Sequence, residues 1–443
     1  MQPIPLIAVH AVMILMLSSN RHAPAFPQGP QMSGMPSPPD TIVLTLREAG
    51  RLALEREPGL QADRQGAAIA RGEYRQSRLD GLNPAIDFQQ YETGALGGTQ
   101  AYTVGLSLEL PWAGQRGLRI AAARAGMERA NATTADAVRL AEATVSLAFF
   151  GAVAAERRLQ LAEQMAAASQ RFFDLTRIQL REGEISALEA NLTDIEFGRS
   201  RARLLAARRD ATAALLELRR LIGVSSVTPI RLVDAAWSAP TAVPLNEDSL
   251  IAVALATRPD LEAGRRQLAQ SASLRRLAAR EAIPTPRLSA FNQRDAGEQA
   301  SRFGLGISVL LPVVDRAQGR VDQEEARVAQ ARSRVAALEL AVGAEVAEAY
   351  RTLQAATEEV STLESLVLGP ARRNLALVDS AYQAGKLALP TVLLIRNQLL
   401  DAELDFWRAW QVHREALVRL HLATATPITP VPSSRAPSAE DNR

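Results

Sequence analysis

The chain has 443 residues, 47 % hydrophobic but only 4 % aromatic, with 50 basic residues against 48 acidic and no cysteine. The charge balance leaves no basic face of the kind that neutralises phosphates, so no nucleic-acid partner is expected. The missing thiols exclude disulfides, thiolate metal sites, a cysteine nucleophile and a cysteine-borne lipid anchor.

The chain opens on an apolar run, Leu6 to Leu17, too short for a bilayer helix but suited to a signal-peptide core. Ala23-Pro-Ala25 supplies small residues for cleavage, so residues 1–25 are predicted to be a signal peptide and the Pro/Gly/Ser/Met-rich residues 26–40 a disordered lead-in. No later apolar stretch is read as approaching 18 residues, so any membrane position is expected to rest on strands.

From residue 41 the chain contains itself twice. Tyr102 to Pro111 reappears about 201 residues later as Phe303 to Pro312, with Gly105 matching Gly306 and Ser107 matching Ser308. Glu57-Pro-Gly-Leu60 matches Arg258-Pro-Asp-Leu261 at the same spacing, and Arg181-Glu-Gly-Glu-Ile185 matches Gln383-Ala-Gly-Lys-Leu387 about 202 residues on. A period this long marks a duplicated domain-sized unit, because array repeats run at about 20 to 50 residues. The predicted organisation is a first repeat at 41–222, a Gly/Pro-bearing linker at 223–245, a second repeat at 246–423 and a disordered tail at 424–443.

In the first repeat a short helix at 59–81 leads to strands at about 84–92 and 101–110. The second strand alternates: Tyr102, Val104, Leu106, Leu108 and Leu110 on one face, Thr103, Gly105, Ser107 and Glu109 on the other. In the second repeat, strands at about 286–294 and 302–311 set Phe303, Leu305, Ile307 and Val309 against Gly304, Gly306 and Ser308. About ten residues with one apolar and one polar face suit a membrane-spanning strand beside a wet lumen. Tyr102, Val104, Leu106, Leu108, Phe303, Leu305, Ile307 and Val309 are the candidate lipid-facing positions, and Pro111 and Pro312 close the strands at the junctions with the helices.

Helices of about 112–182 and 315–384 follow the strands, each then returning through a helix at 186–222 or 388–423. No proline interrupts Trp112 to Glu182, and stripes recur there every seven residues. Val138, Val145, Ala152, Leu159 and Ala166 form one; Ala141, Ala148, Ala155, Ala162, Ser169 and Thr176 form an all-small one. Such a repeat implies supercoiled helices in knobs-into-holes contact, and the small stripe predicts close backbone approach to one neighbour. Several stripes on one helix imply neighbours on both sides, as in a wall. In the second long helix Leu368-Gly-Pro370 is expected to kink the axis.

No catalytic residue, cofactor or metal site is expected, and the chain is not read as an enzyme. The motifs Gly-x-Ser-x-Gly and His-Glu-x-x-His and a phosphate-binding loop are all missing. His10 and His22 fall in the leader, and His413 and His421 read as ordinary helix residues.

Four strands cannot close a barrel in lipid alone, so the chain must oligomerise. The junctions Leu110-Pro-Trp-Ala-Gly-Gln-Arg-Gly117 and Leu311-Pro-Val-Val-Asp-Arg-Ala-Gln-Gly319, with the helix turns Leu180–Glu189 and Tyr382–Thr391, resemble those of the TolC-type outer-membrane efflux proteins over about residues 41–423. The resemblance implies a mainly α fold with a small β part. In it, long antiparallel coiled-coil helices of a homotrimer form an α-barrel continued by a twelve-stranded transmembrane β-barrel, four strands per protomer. It further implies an exit duct through the outer membrane and periplasm, serving a tripartite efflux pump or a type I secretion system. Its implied partners are a periplasmic adaptor and an inner-membrane transporter of the RND type. A periplasmic coiled-coil structural or adaptor protein is the alternative from another class, although no β-rich adaptor domain is visible.

By the same resemblance, the turns at Gly183 and Gly385 form periplasmic tips that dock the adaptor and gate the channel. Arg181, Glu182, Gly183, Glu184, Glu189, Gly385, Lys386 and Thr391 are the candidate residues. Drug-efflux members carry an acidic ring after the second tip glycine, where this chain has Thr391 and Leu394, leaving Glu182, Glu184 and Glu189. The junction Gly-Gln-Arg-Gly-Leu-Arg119 loosely resembles that of heavy-metal efflux members, which favours metal cations over drugs as cargo.

Overall fold

A computed structural model describes residues 41–80, 83–93, 99–233, 246–294, 301–384, 386–387 and 389–426. The expected signal peptide and lead-in lie outside the described residues, as do most of the expected tail and the Gly385 position.

The first repeat contains β1 (Ile42–Leu44), α1 (Leu46–Arg56), α2 (Pro58–Ser77), β2 (Ala85–Thr93), β3 (Thr99–Glu109), α3 (Gln115–Arg181) and α4 (Ala187–Leu221). After β4 (Ile230–Leu232) the second repeat has α5 (Glu247–Thr257), α6 (Pro259–Glu281), β5 (Pro286–Arg294), β6 (Arg302–Val309), α7 (Gln318–Thr362), a six-residue π-helical stretch (Leu363–Leu368), α8 (Gly369–Gln383) and α9 (Leu389–Thr424). Helix starts follow local chemistry. Thr45 Oγ1 accepts from Glu48 N at 3.2 Å to cap α1. Proline opens α2 and α6, where its missing N–H costs nothing.

At about 1.5 Å per residue, the 67 residues of α3 extend roughly 100 Å. Helices α2 and α4 of the first repeat and α6 and α9 of the second all pack on α3, while α7 packs in turn on α6 and α9. One core gathers Phe149, Phe150, Leu218 and Trp410 around β1 and β4; a second gathers Val342, Val346, Ala416 and Leu420. Between them sits a buried ionic knot. Arg258, 5 % exposed, pairs with Asp260 at 2.6 Å and Glu345 at 2.5 Å and donates to Ala423 O at 3.3 Å. Arg139 pairs with Asp136 at 2.6 Å and donates to Leu422 O, so two guanidiniums hold the carbonyl end of α9.

The structure departs from sequence expectation in five places. Segment 223–245 is not wholly a linker, because β4 pairs in parallel with β1, Ile42 opposite Ile230 and Leu44 opposite Leu232, and adds apolar side chains to the first core. Helices α1 and α5 precede the short helices as separate elements beyond those expected. The second long helix adds to the expected proline site a π-helical stretch, Leu363–Leu368, immediately before Gly369-Pro370, itself a feature found where helices bend. One 18-residue window of α3 is long and apolar enough by composition to cross a membrane, although no such stretch is expected beyond the leader, and 44 % of it is buried within the structure. Finally, the small-residue stripe packs closely only in part: Ala155 and Thr176 are buried, whereas Ala162 and Ser169 are half-buried, and Ala155, Ala162 and Ser169 all border one cavity.

Candidate functional site: an apolar sheet face and the helix tips

The sheet is built by both repeats. Its order is β2-β3-β5-β6, antiparallel throughout, so the two hairpins are joined by β3 against β5. In register, Phe88 lies opposite Val104, Leu106 opposite Ala290, and Leu288 opposite Ile307. Because side chains alternate across a strand, this puts Ile86, Phe88, Val104, Leu106, Leu108, Leu288, Phe303, Leu305 and Ile307 on one face. That face is open: Ile86 is 77 % exposed, Leu106 50 %, Leu305 77 % and Ile307 74 %. Tyr102 and Val309 are exposed as well, and Leu108 is half-exposed.

The opposite face is polar but more crowded than the sequence suggests. Ser107 is buried and donates to Asp87 Oδ2 at 2.8 Å. The Phe291 ring lies over Gly304, where an added Cβ would stand 2.4 Å from Phe291 Cζ, so any larger residue there requires the ring to move. Glu109 and Arg287, opposite each other in the ladder, form an ion pair.

Both strand-to-helix junctions use one device. Beyond Pro111, Gly114 adopts φ +80°, and Gln115 Oε1 accepts from Ala113 N at 2.9 Å. Beyond Pro312, Ala317 adopts φ +60°, and Gln318 Oε1 accepts from Arg316 N at 2.8 Å. The first junction is tied to the second repeat: Leu110 N donates to Pro286 O at 2.9 Å and the Trp112 indole to Pro284 O at 3.0 Å.

At the far end α3 stops on a glycine turn. Gly183 has φ +72°, Gly183 N donates to Leu180 O at 3.2 Å, and Glu184 N reaches back to Gln179 O at 2.9 Å. This is the paired-bond ending that a left-handed residue permits. The long-range bond recurs in the second tip, where Lys386 N donates to Ala381 O at 2.9 Å. Arg181, Glu182, Glu184, Lys386 and Thr391 are all exposed. Beside them Leu188 is 70 % exposed and Leu394 58 %.

Glu189 is spent on the helix itself. Its Oε2 accepts from Ser186 N at 2.9 Å while Ser186 Oγ accepts from Glu189 N at 3.2 Å, a capping box that opens α4. The backbone N–H of Ser186 also holds its carboxyl below the usual range. Among the acidic candidates, Glu182 and Glu184 are the exposed ones, standing on the turn itself.

Sequence reading missed the aromatic cluster above the tips. Phe173 stacks on Phe197 at 4.6 Å within the first helical hairpin. Phe172 meets Tyr382 at 5.9 Å, and the Arg396 guanidinium stands 4.3 Å from the Phe172 ring centre, both contacts joining the two repeats. The signal available was the doublet Phe172-Phe173 on a nearly aromatic-free chain.

Residues 49–224 and 250–426 each match the family model described as outer membrane efflux protein. The cobalt-zinc-cadmium resistance protein CzcC of Cupriavidus metallidurans is 23 % identical over 310 residues, covering 70 % of this chain and 73 % of that protein. Among solved structures, the CmeC outer membrane channel of Campylobacter jejuni superposes with a TM-score of 0.75 at 13 % identity, covering 93 % of this chain and 94 % of that one. The open-state MtrE outer membrane channel of Neisseria gonorrhoeae gives 0.72 at 21 % identity, covering 86 % and 88 %.

Proposed function

The chain belongs to the outer membrane efflux protein family, and on that premise we propose that three copies close a twelve-stranded barrel and continue it as a helical duct through the periplasm. It is an outer-membrane efflux channel. The observation that carries the trimeric reading is the sheet, which has one lipid-compatible face and two free edges, β2 and β6, among the described residues. Open edges are not stable in hydrocarbon, so β6 of one copy must pair with β2 of the next.

The repeat supplies the register. Pro84-Ala-Ile86 matches Pro286-Arg-Leu288, and β3 matches β6. The β3–β5 seam is thus the template for the seam between copies. Transferring it sets Ile307 opposite Phe88 of the next copy and gives the Leu311 N–H to that copy's Pro84 carbonyl, as Leu110 gives its own to Pro286.

The tips, with exposed Leu188, Leu394, Glu182, Glu184 and Lys386, are the surface for the periplasmic adaptor that links the duct to an inner-membrane transporter. The cargo is a divalent metal cation, a reading supported by the likeness to CzcC. Among the described residues no cluster of three metal-ligating side chains occurs, so cargo choice is assigned to the inner-membrane transporter.

Since the chain has no cysteine, the test is clean. The Phe88→Cys/Ile307→Cys double variant should form disulfide-linked trimers in membranes, because opposed antiparallel residues stand about 4.5–5.5 Å apart at Cα, within disulfide reach. Phe88→Cys/Phe303→Cys, four residues out of register, should not. Equal linkage in both would reject the register, and linkage in neither would reject closure by these edges. Loss of cobalt, zinc or cadmium tolerance on gene deletion, with drug tolerance kept, would support the metal reading; the reverse would replace it.

A further inference from the structure

Within one chain the pairing of β3 with β5 decides which helices meet beside the sheet. Helix α3 follows β3, α6 leads into β5, and the two helices pack on each other. Their contacts are specific. Arg266 Nη1 pairs with Glu128 Oε2 at 2.6 Å, and Gln115 Nε2 donates to Arg280 O at 3.2 Å. The Gln270 amide lies over Gly126, where an added Cβ would stand 2.8 Å from its Nε2. Ala122, on the same face of α3, is 3 % exposed.

The duplication carries this seam to the outer faces of α2 and α7 in a fixed register. Pro58 opens α2 as Pro259 opens α6. Gln115 opens α3 as Gln318 opens α7, each after a left-handed residue and each accepting the backbone N–H two positions back. On these landmarks Gln318, Ala329 and Ala331 of α7 stand for Gln115, Gly126 and Glu128. Likewise Gln65, Ile69 and Leu79 stand for Arg266, Gln270 and Arg280. The matching faces are bare. Ile69 is 64 % exposed and Leu79 60 %. Gln318, Glu325 and Ala329 are exposed where Gln115, Ala122 and Gly126 are buried.

We propose that these two bare faces form one interface, α7 of one copy packing on α2 of the next with Ile69 seated against Ala329. The inference rests on the trimeric reading, in which β6 of one copy pairs with β2 of the next. The helix that follows β6 is then carried beside the helix that precedes that β2, as α3 is carried beside α6. The side chains suit a second copy. Gln65 and Ala331 replace the Arg266–Glu128 ion pair, so both charges are removed together and no buried charge is orphaned. Ile69 sets apolar surface against a methyl group, and its burial is favourable. Within the chain Gln318 Nε2 reaches Val314 O at 3.4 Å; in the interface it donates to the Leu79 carbonyl of the next copy, as Gln115 does to Arg280.

The test uses the full-length protein in membranes. Ile69→Cys/Ala329→Cys, treated with an ethylene-bridged bis-methanethiosulfonate, should give covalent trimers on denaturing gels that reductant returns to monomers. Arg71→Cys/Ala329→Cys should give none, because Arg71 is exposed on the opposite side of α2. The strand pair Phe88→Cys/Ile307→Cys is run in parallel. Strand linkage without helix linkage would overturn this interface and leave the barrel standing, and linkage of neither pair would overturn both. Equal trimer from the Arg71 pair would overturn the assigned faces. Without any reagent, Ile69→Asp should deplete heat-resistant trimer and Arg71→Asp should not; undiminished trimer in Ile69→Asp would also overturn the proposal.

Discussion

Phe172 and Tyr382 face each other with ring centroids 5.9 Å apart and planes inclined at 51°, one ring from each repeat. With Arg396 over the other side of the contact, 4.3 Å from the Phe172 centre, they form the joint between the two helical hairpins nearest the tips. Aromatic pairs contribute about 0.5–1.5 kcal/mol beyond their buried area, and an exposed cation–π contact about 0.5–1 kcal/mol. Phe172→Ala should therefore cost roughly 1–3 kcal/mol locally and speed amide exchange in both tips. Phe173→Ala, whose partner Phe197 lies in the same hairpin, should loosen the first tip alone. Hydrogen exchange read separately on segments 172–187 and 375–387 distinguishes the two, and an identical pattern in both variants would remove this joint from the account.

The open sheet face yields a second prediction. Arginine at Leu106 or Ile307, 50 % and 74 % exposed on the apolar side, should cost about 2–4 kcal/mol near the bilayer midplane and deplete heat-resistant oligomer from membranes. Ser308→Arg, on the polar side and exposed, should assemble. Ser107→Arg should not, although the alternation alone predicts tolerance, because Ser107 is buried against Asp87. Ample oligomer from Ile307→Arg would invert the assigned facing.

The tip turn gives a third. Gly183 holds φ +72° with open space around its Cα, so the obstacle to replacement is backbone conformation and not crowding. A non-glycine residue there costs about 1–2 kcal/mol, and a β-branched one more. Gly183→Val should leave oligomer abundance intact and impair export, whereas Gly183→Asn, which tolerates this conformation, should retain export. Trimer loss in the valine variant would assign the glycine to folding.

His413 sets an acid limit. Burial, reinforced by Arg414, lowers its pKa from 6.5 to about 4. Between those values the unfolded chain binds a proton that the folded chain refuses, so folded stability rises with pH across that window. The contribution is fully present above pH 6.5 and is lost as pH falls toward 4. The melting temperature should drop over this interval in the wild-type protein and drop less in His413→Gln, measured by thermal scans at fixed ionic strength. Parallel curves for the two proteins would exclude His413 as the source.

Much of this was legible because it is local. Alternation from Tyr102 to Leu110 depends on side chains pointing to opposite faces of one strand, and the seven-residue stripes of α3 depend on the geometry of one helix; each is written into consecutive residues. The duplication was legible too, since it is a comparison of the sequence with itself. What the sequence could not decide were choices among distant or competing partners. The pairing of β3 with β5 joins Leu106 to Ala290 across some 180 residues, and no local pattern fixes which strand is the neighbour. Glu189 read as a possible gate because its charge was visible, while its preference for the N–H groups of its own helix emerged only once Ser186 was placed beside it. The small stripe likewise announced close packing, yet whether Ala162 touches a helix or faces a void depends on how α4 and α9 approach from either side. Periodicity selects the face a helix or strand presents; the packing of all the others decides what that face meets.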